Sequence, residues 1–153
     1  MKLVFDTYKT EYDAPFKQLN LHWLEQYFVV EPHDDEVLSD PYRFIIEPGG
    51  DILVVLLEGK VAGVVALMPD ENGVFEMTKM AVDSNLRGQK IGQKLLQYTL
   101  DFARAKGLDQ LILYSNRKLE NAIYLYRKFG FEEIPLETPN PYERADIKMK
   151  IKL

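Results

Sequence analysis

The sequence predicts one α/β (α+β) domain in which helices pack against a mixed sheet. Three observations carry this. The stretch "DILVVLLEGKVAGVVALMPDENGVFEMTKMAVD", residues 51–83, holds three apolar runs joined by "EGK" and "PDENG". Connections that short favour antiparallel hairpins. Residues 74–116 then read strand, helix, strand, which is a β-α-β crossover between parallel strands. Finally, the tail "ADIKMKIKL" alternates apolar and basic residues from Ile147 onward, the pattern of a strand with one wet face.

Each element has a local reason. Residues 2–8 alternate weakly and end in Tyr8, a first strand. From Asp13 to Phe28, Phe16, Leu19, Trp23 and Tyr27 recur at three and four positions, a helical stripe. "EPHDDEVLSDP", 31–41, is acidic with a proline near each end, and predicts a short helix ended by Pro41. "EPGG", 47–50, is a turn. Strands follow at Ile52–Leu57, Lys60–Met68 and Val74–Val82, and Asp83, Ser84 and Asn85 are loop or cap residues. Ile91–Ala105 keeps a helical rhythm through Ile91, Leu95, Tyr98 and Phe102, and Gly107 stops it. "LDQLILYSN", 108–116, is a strand. "ENAIYLYRKFG", 120–130, is a helix closed by Gly130. No repeat or flexible linker interrupts residues 1–153, which are expected to form a single domain.

Composition narrows the function. The chain has 153 residues, 46% of them hydrophobic, so it can build an ordinary core. A formal charge of −5 argues against nucleic acid as the main partner, although a local basic patch can still hold one small polyanion. The absence of cysteine removes disulfides, thiolate metal sites and cysteine nucleophiles. His22 and His33 lie apart and form no HExxH-like cluster, so no metal is expected. "MKLVFDTYKTEYDAP" has no long apolar core, so no secretory leader is expected. Ile52–Leu57 and Val61–Met68 are too short to span a bilayer, so no membrane role is expected either. A cytoplasmic protein is the simplest reading, and exposed edge strands make a homodimer reasonable.

The stretch "RGQKIGQKLL", 87–96, places two glycines and three cations at the start of the best helix. The first amides of a helix have no intrahelical acceptor, and the backbone dipole there favours anions. Gly88 and Gly92 lack side chains that would shield those amides, and Arg87 and Lys90 add charge. A pyrophosphate suits such a seat. The plain alternative is an ordinary helix start with solvated cations. The spacing is neither G-x-G-x-x-G nor G-x-x-x-x-G-K-S/T.

Here the chain resembles the GCN5-related N-acetyltransferase (GNAT) superfamily. That family places R/Q-x-x-G-x-G/A at the turn into its main helix. The six positions here are "RGQKIG", with Arg87 and Gly92 matching the ends and Lys90 standing where the family's first glycine usually stands. "LILYSN" followed by "NAIYLYRKFGFEEI" resembles the family's next strand, helix and hairpin region. The resemblance covers Ile52 to Ile134. It implies a mostly antiparallel sheet in which two parallel strands splay apart, with helices on both faces.

The resemblance also implies acetyl-CoA as cofactor. Arg87, Gly88, Gln89, Lys90, Ile91 and Gly92 would hold its pyrophosphate. Backbone around Met80, Ala81 and Val82 would bind the pantetheine arm, with Asn116 and Asn121 near that arm. Tyr126 aligns with the tyrosine of the family's "LY…GF" segment and would lie near the thioester sulfur, where a phenol can protonate a leaving thiolate. Its neighbour Tyr124, two positions away, should point elsewhere. In strand periodicity Glu76, Thr78 and Met80 share one face. Glu76 there is the candidate base for the attacking amine, directly or through water. A backbone amide near Met80 or Ala81 is the natural donor to the developing carbonyl charge.

The expected function is acetyl transfer to a primary amine of a small molecule, amino acid or peptide. Trp23, Tyr27, His33, Arg43, Tyr142 and Arg144 are the candidate substrate-binding residues. Arg43 and Arg144 are placed to meet a carboxylate, and "LETPNPYERAD", 136–146, is a loop able to bend over the cleft. The alternative is a non-catalytic acyl-CoA-binding sensor or interaction module. A nucleotide-binding regulator is a weaker third reading.

Overall fold

The apolar runs between Asp51 and Val82 form the hairpins their turns predict, and the rest of the sheet grows from them. The computed structural model describes residues 2–86 and 88–153. In chain order its elements are β1 (Leu3–Thr7), α1 (Asp13–Tyr27), α2 (Pro32–Ser39), β2 (Asp51–Leu57), β3 (Lys60–Pro69) and β4 (Phe75–Val82). They continue with α3 (Ile91–Lys106), β5 (Gln110–Ser115), α4 (Glu120–Lys128), β6 (Glu132–Ile134) and β7 (Ile147–Lys152). Among the described residues seven strands make one sheet, ordered β1-β2-β3-β4-β5-β7-β6. All pairs are antiparallel except β4 with β5, which the α3 crossover makes parallel.

Both faces of this sheet are covered, which is why β2 and β3 read as almost continuous apolar runs. Strand alternation sends Leu53 and Val55 to one face and Ile52 and Val54 to the other. On the first face they meet Leu95, Leu96 and Leu100 of α3. On the second they meet Phe16 and Leu24 of α1 and Val37 and Leu38 of α2.

Three features depart from the sequence expectation. The buried face of α1 is Phe16, Asn20 and Leu24, so of the expected stripe Leu19 and Trp23 pack only at the core's margin and Tyr27 is exposed. Asn20 tolerates burial because its amide donates to the Phe16 carbonyl at 3.0 Å. Residues 42–46 form a wide helical turn closed by the Glu47 N–H on the Tyr42 carbonyl at 2.9 Å. Finally, β7 inserts between β5 and β6, a placement that its alternation alone does not reveal. Among the described residues no helix is long and apolar enough to cross a membrane.

Leu95 joins α3 to the sheet and is fully buried. Leu95→Ala should lower the unfolding free energy by about 2–5 kcal/mol, the usual range for a buried leucine truncation. Denaturant titration measures it, and a loss under about 1 kcal/mol would mean that α3 is not anchored through this residue.

Candidate functional site

Two departures from regular strand geometry open the site. β4 and β5 pair at Phe75–Leu111 and Glu76–Ile112, and among the described residues they pair no further. Beyond that point the strands part. The gap belongs to a cavity of about 440 Å³ lined by Met77–Val82 on one side and Leu113–Asn116 on the other. The second departure is a bulge in β4. Ala66 of β3 pairs with Thr78 and Val64 pairs with Ala81, so Lys79 and Met80 together face Val65. Lys79 takes the extra turn with φ +56°.

The bulge corrects the expected alternation. Thr78 and Ala81 pair with Ala66 and Val64, both in the core beneath α1 and α2. Met80 packs with the α3 core instead. Glu76, Thr78 and Met80 therefore do not share a face, because one inserted residue reverses the phase of a strand. The backbone at Met80–Val82, which has no β5 partner on that edge, is left lining the cavity.

The N-terminus of α3 closes one end of the same cavity. Gly88, Lys90, Ile91 and Gly92 line it. Gly88 has φ +81° and Lys90, the N-cap, has φ +56°. The first intrahelical bond runs from the Lys94 N–H to the Lys90 carbonyl at 3.1 Å, and no side chain caps the helix. The amides of the first turn are thus left without helical acceptors, as an anion seat requires. A Cβ on Gly92 would meet nothing of the protein closer than 3.7 Å, so the fold itself does not demand glycine there. Lys90 thus holds a left-handed backbone of the kind glycine adopts most readily. Gln89 is exposed and is not among the cavity-lining residues, and Arg87 lies outside the described residues.

At the opposite end stands Tyr142. Its hydroxyl donates to Glu76 Oε2 at 2.7 Å and lies 3.3 Å from Thr78 Oγ1. Tyr142 and Thr78 line the cavity, whereas Glu76 stands behind them. Burial pushes the Glu76 carboxyl above its ordinary value, against the hydrogen bond from Tyr142 and the nearby Lys79 and Arg144 charges. The Tyr142 phenol is pushed well above 10, first by burial and then by the Glu76 charge.

Behind this pair lies a buried charge cluster that sequence reasoning missed. Asp34 of α2 is fully buried and pairs with Lys79 Nζ at 2.8 Å. Arg144 reaches Asp34 through Nη1 and Nη2 at 2.7 and 2.9 Å, and Glu31 through Nη1 at 2.8 Å. Burial alone would raise the Asp34 carboxyl, but Arg144 and Lys79 hold it well below the usual carboxylate range. Arg144 borders the cavity, yet its guanidinium is engaged by two carboxylates of the protein. A lysine in the middle of an apolar strand was the signal available in the sequence.

The other expected residues divide clearly. Tyr126 lines the cavity between the parted strands and α4, and burial pushes its phenol up to about 12. Tyr124 is 70% exposed and points away, as expected. Trp23 and Tyr27 line the cavity from α1. Asn116 also lines it, with its amide donating to the Arg144 carbonyl at 2.8 Å, so it anchors the loop that carries Tyr142. Asn121 lies instead in a second hollow, with Lys118 and Glu120. His33 and Arg43 are exposed and are not among the residues lining either hollow. His22, Asn20, Tyr114 and Ser115 are cavity-lining residues that no motif marked.

Comparison with known proteins agrees with this geometry. The model of the acetyltransferase (GNAT) family matches residues 16–131. The chain is 32% identical over 111 residues to the uncharacterized N-acetyltransferase YjgM of Escherichia coli K12, covering 71% of this chain and 64% of that one. It is 35% identical over 99 residues to the N-acetylaspartate synthetase of Xenopus tropicalis, covering 63% and 36%. The chain thus spans less than two thirds of the length of these curated relatives. Among solved structures, an acetyltransferase of the GNAT family from Staphylococcus aureus Mu50 superposes with TM-score 0.85 at 21% identity over 99% of both chains. The PaiA N-acetyltransferase of Thermoplasma acidophilum, solved with coenzyme A, gives 0.76 at 17% identity over 100% of both.

The raised Glu76 carboxyl has a stability signature. A carboxyl whose folded pKa lies above its unfolded value favours the fold while protonated, and that contribution is lost as pH rises through the folded pKa. Glu76→Gln carries no such loss. Its stability relative to wild type should therefore increase from about pH 4 upward, as Glu76 ionises in the wild type, and then level off. Unfolding free energies across that range test it, and a flat difference would mean that Glu76 is not strained by burial.

Proposed function

This chain belongs to the acetyltransferase (GNAT) family, and from that premise we propose that it transfers an acetyl group from acetyl-CoA to the primary amine of a small molecule, amino acid or peptide. The observation that carries the reading is the junction of two sites in one cavity. Uncapped helix amides suited to a pyrophosphate open into the same space as the parted strands and the Tyr142–Glu76 pair.

The cavity residues fit the cofactor. The α3 amides with Gly88 and Lys90 would hold the pyrophosphate, and the Met80–Val82 backbone, on the edge β5 leaves open, would bond the pantetheine arm as a strand bonds its neighbour. A side chain at position 92 would crowd an anion resting on the helix, which gives Gly92 its purpose. Bound acetyl-CoA supplies an activated thioester. The chain's own groups then do the remaining work. A bulge amide at Met80 or Ala81 donates to the carbonyl oxygen as charge grows there. Tyr126 holds a proton at its hydroxyl for the departing sulfur, and its elevated pKa keeps that proton in place.

Glu76 is read as the base, acting through Tyr142. Tyr142 Oη takes a proton from the acceptor ammonium while its own proton passes to Glu76 Oε2 along the 2.7 Å hydrogen bond. Trp23 and Tyr27 wall the cavity beside the acceptor. Arg144, already neutralised by Asp34 and Glu31, is read as structural and not as a receptor for a substrate carboxylate.

Incubation with acetyl-CoA and a panel of amines, read by thiol release together with product mass, tests the transfer. Binding without an acetylated product would favour the sensor reading. Tyr126→Phe should lower kcat about 10-fold to 100-fold while changing coenzyme A affinity less than about 3-fold. Equal losses of both would remove its leaving-group role. Lys90→Gly should show opposite signs in two assays. Relief of the left-handed backbone should raise stability by about 0.5–1 kcal/mol. Loss of the ammonium should weaken coenzyme A binding, measured calorimetrically, and a variant that binds more tightly would rule out a phosphate contact.

A further inference from the structure

Asp34 accepts four hydrogen bonds: from Lys79 Nζ at 2.8 Å, Arg144 Nη1 at 2.7 Å, Arg144 Nη2 at 2.9 Å and the Glu31 N–H at 3.0 Å. Its two cationic partners come from places that have little else in common. Lys79 is the residue of the β4 bulge, held at φ +56°. Arg144 lies on the loop before β7, two residues after Tyr142. The Asp34 and Lys79 side chains are 0% and 3% exposed, so water cannot replace either partner. The Tyr142 ring lies near both cations, with Lys79 Nζ 5.2 Å and the Arg144 Cζ 4.9 Å from its centroid.

A buried ion cluster is a poor source of net stability, because desolvation offsets most of the attraction. Its geometry, however, is demanding. A left-handed backbone at a non-glycine residue carries strain, and at Lys79 the side chain is held in place by a carboxylate on α2. The same carboxylate fixes the loop arginine in a fork that only one approach satisfies. We propose that Asp34 is a positioning residue, a single buried carboxylate that sets both the bulge exposing the Met80–Val82 backbone and the loop that seats Tyr142 on Glu76.

The inference deepens the acetyl-transfer reading and rests on it for its kinetic consequence. Asp34 touches neither the acceptor nor the thioester. It acts through Lys79 on the amide donors and through Arg144 on the proton path. The two effects are separable because the two cations are on different segments.

Amide hydrogen exchange on the free protein tests the positioning without substrate. Asp34→Asn should speed exchange about 10-fold or more in residues 79–82 and 140–146 while the β2–β3 amides keep their rates. Arg144→Lys should loosen only 140–146, and Lys79→Gln only 79–82, so these two carry the test if Asp34→Asn does not fold. Unchanged exchange at both segments, or equal loosening throughout the sheet, overturns the proposal. In the acetyl-transfer assay Asp34→Asn should lower kcat about 10-fold to 100-fold and raise the KM for acetyl-CoA, because the loosened residues 80–82 are those read as holding the pantetheine arm. In a Tyr142→Phe background the share of the kcat loss that runs through Arg144 should vanish, leaving the share that runs through Lys79 and the amide donors. A full, additive loss there overturns the link to Tyr142. Absence of transfer by the wild-type protein would overturn the transfer reading alone, and the exchange measurements would still decide the role of Asp34.

Discussion

Strand β4 lies between neighbours of opposite direction and satisfies both for only part of its length. It pairs with β3 on one edge throughout, apart from the bulge, and with β5 on the other for two residue pairs. A backbone that leaves its ladder must find other hydrogen-bond partners or face a space that supplies them. That requirement shapes the centre of this protein. The parting of β4 from β5 makes a space bordered on two sides by strand backbone that has lost its ladder partner. The α3 crossover needed for a parallel pair brings a helix N-terminus to its rim. Cavity, amide donors and anion seat are consequences of one topological choice.

The sheet also explains why the ionisable groups of the site behave differently from those on the surface. Glu76 and Asp34 are both removed from water, yet their carboxyls move in opposite directions. Asp34 has two cations on its oxygens, whereas Glu76 has a neutral phenol and a hydroxyl nearby. Burial dominates where compensation is weak and yields where it is strong. A carboxyl raised by burial and a carboxylate held charged by its partners can thus occur in one site. The surface pairs, such as Lys9 with Asp6 or Arg104 with Asp101, bear on neither.

Much of this was legible in the sequence, for identifiable reasons. The hairpins of β2, β3 and β4 follow from short turns and apolar runs. The α3 start was legible because Gly88 and Gly92 interrupt an otherwise strong helical pattern. Tyr126 was recoverable from its resemblance to a known motif, and Tyr124 served as its control. The bulge was not legible. A period-two reading assumes an unbroken ladder, and Lys79 carries no glycine to warn of a left-handed turn. Asp34 was hidden in an acidic run that reads as solvent-facing. Its burial depends on Arg144, 110 residues away. Trp23 and Tyr27, expected as substrate-binding residues, do line the cavity, although their place on an apolar stripe equally suited core packing. The actual core face passes through Asn20, whose polarity is answered by a main-chain carbonyl that no pattern of side chains announces.

The position of β7 has a further bearing on how the protein comes into being. It fills the gap between β5 and β6, with Ser115 beside Ile147 and Ile134 beside Lys148. During synthesis on the ribosome, β6 has no neighbour to pair with until residues 147–152 have emerged. The segment bearing Tyr142 and Arg144 is likewise tethered at one end only. The hairpins of β2–β4 are local and can form early, whereas closing the β5–β7–β6 half requires the distant segment. Nascent chains paused before residue 147 would therefore carry a formed cofactor-side framework and an unformed acceptor side. A ribosome-bound intermediate of that kind would be exposed at the edge of β5, where chaperones and other unpaired strands compete for the same hydrogen bonds.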